Sequence, residues 1–157
     1  MRHAKGFTLV ELVMVILLIG ILSAIGSSLF TNQGVFSAFA ARDQFLAMAL
    51  LAQKRALADA SNNTVTLTIS QNSDAWQLDL VQGSGTGQIV YQQRTVDRAG
   101  ASLSVDGSLM VNGASQAVSY NSDAETGVNR QFLFAADNSY AFCLASTGFA
   151  YTGSCQP

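Results

Sequence analysis

Gly6-Phe7-Thr8-Leu9-Val10-Glu11-Leu12-Val13-Met14-Val15-Ile16-Leu17-Leu18-Ile19-Gly20-Ile21-Leu22-Ser23-Ala24-Ile25-Gly26-Ser27-Ser28-Leu29-Phe30 is an almost unbroken apolar run. From Phe7 onward it spans roughly 36 Å as a helix, enough to cross a ~30 Å hydrocarbon core with some tilt. Glu11 is the exception, and no other charge follows until Arg42. A carboxylate facing lipid costs about 3 kcal/mol near the middle of a span. A run that keeps one early carboxylate therefore needs a partner for it. The preceding Met1-Arg2-His3-Ala4-Lys5 is short and basic, which holds that end on the cytoplasmic side.

The stretch Gly6-Phe7-Thr8-Leu9-Val10-Glu11, behind a basic leader and ahead of an apolar helix, resembles the processing motif of type IV prepilins and type II secretion pseudopilins. The resemblance implies cleavage by prepilin peptidase between Gly6 and Phe7, and N-methylation of Phe7. It also implies that Glu11 sets the register between neighbouring subunits. Positions four apart share a helix face, so Glu11 could pair with the Phe7 amine of its own chain or of a neighbour. Pairing offsets the cost of a buried carboxylate. The alternative is a shallow Glu11 that reaches the headgroups. The family fold makes the expected class α+β: a long N-terminal helix, transmembrane in its first half, on an antiparallel β-sheet head. The expected boundaries are 1–6 for the leader, 7–30 for the transmembrane and assembly helix, 31–60 for its amphipathic continuation and 61–157 for the head.

Composition narrows the function classes. Of 157 residues, 49% are hydrophobic and 11% charged, with a formal net charge of −2. Loss of Arg2 and Lys5 with the leader leaves 6 Lys and Arg against 10 Asp and Glu, a side-chain balance of −4. No basic face for nucleic acid is expected. Cys143 and Cys155, downstream of an export segment, read as one disulfide in an oxidising compartment. Closing a loop of that length stabilises by roughly 2–3 kcal/mol in the chain-entropy model.

Beyond Thr31-Asn32-Gln33-Gly34, positions within 35–60 recur at helical spacings of three and four: Phe39, Leu46, Ala49, Leu50, Gln53 and Leu57, all apolar but Gln53. This predicts an amphipathic helix continuing the first into one rod, with Phe39, Leu46, Leu50 and Leu57 facing a sheet. A separate helix after a break at 32–34 is the other reading. After Ser61-Asn62-Asn63 the period becomes two. Val65, Leu67 and Ile69 alternate with threonines, and Trp76, Leu78 and Leu80 alternate with polar residues. Further strands are expected over 89–96, 102–105, 108–111, 117–120, 131–135, 140–144 and 149–151. Asp106-Gly107 is a two-residue hairpin signal. Trp76, Phe132, Phe134 and Phe142 are expected in the core.

No catalytic constellation stands out, and the chain reads as a structural subunit, with no cofactor and no metal. The only histidine, His3, lies in the leader, and the serines have no base to activate them. Gly83 to Gly87 lacks the Lys-Ser/Thr end of a phosphate loop and reads as a hairpin connection. Asp123 and Glu125 could meet calcium, but without an EF-hand spacing they read as a solvated loop.

Within the family, the hairpin near 132–144 and the short C-terminal return are similar to minor subunits: H-type minor pseudopilins and the MshC-type minor pilins of the mannose-sensitive haemagglutinin (MSHA) pilus, the latter also through Ala41-Arg42-Asp43-Gln44. Major pilins commonly carry a proline where this chain has Ser28, which leans toward a minor subunit. The retained Glu11 argues against a tip subunit. The resemblance implies other pilin or pseudopilin subunits and an inner-membrane assembly platform as partners. It places the chain in the inner membrane, head in the periplasm, before assembly. Two other readings stay open: an exported adhesin cut by a conventional signal peptidase before Ser27, after Ala24-Ile25-Gly26, and an uncleaved single-span anchor.

Overall fold

A computed structural model describes residues 8–29, 33–58 and 63–156. The chain divides between Gln33 and Gly34 into two compact units. The first contains helix α1, Leu9–Leu29. The second contains helix α2, Gln33–Ala58, except for its first residue, followed by nine strands. Residues 30–32, where one continuous rod or a break was expected, lie outside the described residues, as do 59–62 at the expected end of the second helix.

The strands are β1 (Val65–Gln71), β2 (Ala75–Gln82), β3 (Ile89–Asp97), β4 (Ser102–Val105), β5 (Ser108–Leu109), β6 (Ser115–Tyr120), β7 (Arg130–Ala135), β8 (Ser139–Leu144) and β9 (Ala150–Thr152). The class is α+β, but the head holds two antiparallel sheets where the sequence suggested one. Their orders are β3-β2-β1-β6 and β5-β4-β7-β8-β9. The expected period-two faces are buried: Val65, Leu67 and Ile69 on β1, and Trp76, Leu78 and Leu80 on β2. At Asp106 and Gly107 both φ angles are positive, +51° and +80°, and Val105 pairs with Ser108. That is the two-residue turn whose twist matches the flanking strands. The glycine-rich stretch joins β2 to β3 through a short 3₁₀ turn at Gly85–Gly87.

The buried face of α2 differs from the one expected. It consists of Ala38, Ala41, Phe45, Met48, Ala49, Ala52 and Ala56. Leu46 and Leu50 pack at its margin, while Phe39 and Leu57 are exposed. Small alanines fill most of this face, and Phe45 and Met48 are its large buried side chains. The Phe45 ring centroid lies 4.8 Å from that of Phe132 and 5.0 Å from that of Phe142. Phe39 instead lies at the surface beneath the Arg42 guanidinium, at 4.7 Å, and edge-on to Tyr140. Gly34 to Ala58 is also long and apolar enough for a membrane span by composition, but part of that apolarity is spent on the head core.

Trp76, Phe132, Phe134 and Phe142 are all fully buried, as expected. Trp76 meets Phe134 edge-on at 5.1 Å, joining the two sheets. Its Nε1 donates to Gln71 Oε1 at 2.8 Å, and Gln71 Nε2 donates to the Met110 carbonyl at 2.7 Å. Both ends of that buried amide are thus satisfied. The Tyr120 hydroxyl donates to the Ala49 carbonyl of α2 at 3.2 Å, and burial pushes its phenol far above the ordinary range. It stays protonated and available as a donor. Cys143 on β8 is disulfide-bonded to Cys155, with Cα atoms 4.8 Å apart. The Cys155 amide donates to Gln131 Oε1 at 2.6 Å, tying the C-terminal return to β7.

Gly148 has φ +78°, and a Cβ there would lie 1.8 Å from the Ala124 carbonyl oxygen. Gly148→Ala combines backbone strain with a backbone clash, each of order 1–3 kcal/mol. We expect it to lower head stability by at least about 2 kcal/mol. Urea unfolding of the full chain in detergent, followed by Trp76 fluorescence, measures this, and an unchanged midpoint contradicts the packing described. Tyr120→Phe removes one buried hydrogen bond and should cost about 1 kcal/mol in the same assay.

Candidate processing and assembly site

Helix α1 is 21 residues long, about 31 Å at 1.5 Å per residue, matching the hydrocarbon thickness of a bilayer. From Leu9 to Ala24 every side chain is exposed within the single chain. A helix apolar all round needs lipid or other helices to cover it. Ser23 Oγ donates to the Ile19 carbonyl at 2.7 Å, so this hydroxyl is satisfied within the helix and tolerates an apolar surrounding.

The N-terminal turn is built by two residues. Thr8 Oγ1 accepts a hydrogen bond from the Glu11 amide at 3.3 Å. Glu11 Oε2 accepts from the Thr8 amide and from the Thr8 hydroxyl, both at 3.3 Å. Leu12 N donates to the Thr8 carbonyl at 3.2 Å, the first bond of the helical ladder. This is a reciprocal capping box, in which two otherwise orphaned amides at the helix start are satisfied by each other's side chains. The carboxylate also lies at the positive end of the helix dipole. Among the described residues Oε1 has no hydrogen-bond partner, so the carboxylate retains acceptor capacity after capping its own helix.

The sequence reading overlooked Thr8. Its signal is present as Thr8-Leu9-Val10-Glu11, a Thr-x-x-Glu spacing before an apolar run. Gly6 and Phe7, the expected cleavage and methylation residues, lie outside the described residues, and so does any pairing of Glu11 with the Phe7 amine. Asp123 and Glu125 both lie on an exposed loop. Asn121 Oδ1 accepts from their two amides at 3.0 and 2.8 Å, and among the described residues no group of acids, histidines or cysteines is placed to hold a metal.

Residues 1–27 match the Prokaryotic N-terminal methylation motif, the signal of type IV pilins and pseudopilins. The match covers the basic leader, the Gly6-Phe7 junction, the Thr8–Glu11 box and most of α1. No curated protein and no solved structure matches the chain. A motif of this type implies processing by prepilin peptidase and assembly with other pilin-type subunits, and it fits a membrane-anchored structural protein.

Thr8→Ala removes the cap and should cost about 1 kcal/mol at the helix start. Amide hydrogen exchange at Glu11, in the full chain in micelles, should accelerate about fivefold, since 1.4 kcal/mol corresponds to a factor of ten. Thr8→Ser should restore the original rates. Unchanged rates in Thr8→Ala contradict the capping role.

Proposed function

We infer that this chain is a minor pilin-type subunit of a type IV, MSHA-like pilus, aiding pilus biogenesis and surface attachment. Prepilin peptidase cuts it between Gly6 and Phe7, and Phe7 is N-methylated. The precursor sits in the inner membrane with its head in the periplasm, and the assembly platform extracts it into the filament. The observation that carries the reading is the methylation motif over residues 1–27. Support for a minor rather than a major subunit comes from the lack of proline within α1, where Ser28 stands at the usual site. Glu11 provides register: its carboxylate pairs with the N-terminal amine of a neighbouring subunit. The chain acts by packing, not by catalysis.

The first test is the intact mass and N-terminal sequence of the protein taken from membranes of a producing cell that has the peptidase. An N-methylated Phe7 is expected. A chain beginning at Ser27 means conventional secretion and overturns the assembly reading, and an intact Met1 means a fixed anchor. Glu11→Ala should leave cleavage unchanged and reduce incorporation into sheared filaments at least tenfold. Normal incorporation removes the register role. Loss of an exported enzyme rather than of pili, on deletion of the gene, assigns the chain to a secretion pseudopilus instead.

A further inference from the structure

Beyond Gly6 the chain has six lysines and arginines. Three of them are held by polar partners. Arg42 pairs with Asp43, and Arg130 with Asp106. Arg98 donates to the Asn72 and Ala101 carbonyls and to Asn112 Oδ1. The other three, Lys54, Arg55 and Arg94, have no carboxylate partner among the described residues. All three border one slot between α2 and β3.

α2 is fastened to β3 at two points. The Ser37 hydroxyl donates to the Asp97 carbonyl. Toward the other end of the helix, Arg55 Nη2 donates to the Tyr91 hydroxyl, and its guanidinium lies 3.8 Å from the centre of the Tyr91 ring. Arg55 Nε donates to Gln82 Oε1 at 3.2 Å. Between these points helix and strand leave an open slot of about 370 Å³, lined by Gln44, Ala47, Met48, Leu51, Gln92 and Arg94. Ala47 and Leu51 are exposed on its helix side. Lys54 continues the line of Gln44, Ala47 and Leu51 at spacings of three and four, which places it on the same helix face. On the strand side, Gln92 and Arg94 pair with Leu80 and Leu78, whose side chains are buried. Directly opposed residues of antiparallel strands share a face, so Gln92 and Arg94 lie on the side of the sheet turned to α2. Arg94 Nε and Nη2 donate to the Gln92 amide oxygen at 2.9 Å. That neutral partner leaves the remaining N–H donors of the guanidinium for a ligand.

We propose that this slot binds a free single-chain fatty acid, with its carboxylate on Arg94 and its tail against Ala47, Met48 and Leu51. Charge selects the head group. Three cations without a carboxylate surround an apolar floor, and a planar guanidinium matches a carboxylate with two parallel hydrogen bonds. Size selects the rest of the ligand. The volume is that of a small-molecule site. From Gln44 to Leu51 the floor runs for about 10 Å along the helix, the scale of one medium-length alkyl chain. The contacts at Ser37 and Arg55 bound the slot lengthwise, which suits a compact ligand better than a polypeptide running through it. A ligand seated there touches both α2 and β3 and so braces the helix against the sheet edge. The site lies wholly in the head, goes beyond the filament reading and does not depend on cleavage at Gly6.

The test exposes the full chain, in maltoside micelles, to a medium-chain carboxylic acid that carries a diazirine on its tail. Irradiation followed by trypsin should place label on peptide 43–54, which holds Gln44, Ala47, Met48 and Leu51. The apolar α1 takes up label from any alkyl chain in the micelle, so the peptide ending at Arg42 serves as the internal standard. Relative to it, Arg94→Gln should lower the label on 43–54 about tenfold, through loss of a charge-assisted contact. Ala47→Phe, which fills the slot, should lower it too. Excess decanoate should compete, and decanol, with the same tail and no charge, should not. An unchanged urea midpoint, read by Trp76 fluorescence, verifies the fold of each variant. Label on 43–54 that is absent, indifferent to Arg94→Gln or equally displaced by decanol overturns the proposal. Benzoylphenylalanine at position 51, irradiated in membranes of a producing cell, should give no protein adduct. A cross-link to another protein or to a second copy means that a polypeptide occupies the slot, and it also overturns the proposal.

Discussion

The head depends on one helix, α2, sharing a single core with two sheets. Five of the buried positions on its inner face are alanines: Ala38, Ala41, Ala49, Ala52 and Ala56. Tyr120 of the first sheet spans to α2, where its hydroxyl donates to the Ala49 carbonyl. Phe45 is the aromatic knob, inserted against Phe132 and Phe142 of the second sheet. Burying a phenylalanine contributes about 2–3 kcal/mol, and here that contribution also aligns the helix. The sheets touch each other directly through Trp76 and Phe134, and through Gln71 to Met110.

The sequence made the strands legible because a half-buried strand writes its partner face into alternate residues. Val65, Leu67 and Ile69, and likewise Trp76, Leu78 and Leu80, could only point one way. The Asp106-Gly107 turn was legible for a different reason, since its positive φ angles restrict the residues that fit. The inner face of α2 was misread because apolar size was taken as the guide. Phe39 and Leu57 looked like core residues, yet alanines fill most of the buried positions of α2. Nor did the sequence reveal that the strands form two sheets. Strand pairing between β1 and β6, or β4 and β7, joins segments far apart in sequence, and no local pattern encodes it.

At the candidate site the balance is similar. Glu11 stood out as a lone carboxylate in an apolar run. Thr8 did not, although its spacing from Glu11 is a capping signature. Attention to the cost of the charge obscured what the charge does for its own helix. The loop carrying Asp123 and Glu125 was visible only as a solvated segment. Its attachment to the 145–149 turn, through Gly148 against Ala124 and backbone bonds from Thr126 and Gly127 to Ser146, is not shown by sequence spacing.

The capping box bears on how one residue can serve a chain both alone in lipid and packed among helices. An isolated carboxylate in a bilayer is costly, and hydrogen bonds from the Thr8 amide and hydroxyl offset part of that cost without any second chain. Those bonds engage Oε2, and a carboxylate accepts at both oxygens. A cation arriving from a neighbouring helix therefore adds to the cap instead of displacing it. The cap lowers the cost of the carboxylate in an apolar surrounding, and under the register role proposed above it leaves acceptor capacity for association. A glutamine at this position could still accept from Thr8, yet it would offer a neighbour no charge. The cap and the proposed register role are separable in principle, and only a carboxylate would fulfil both.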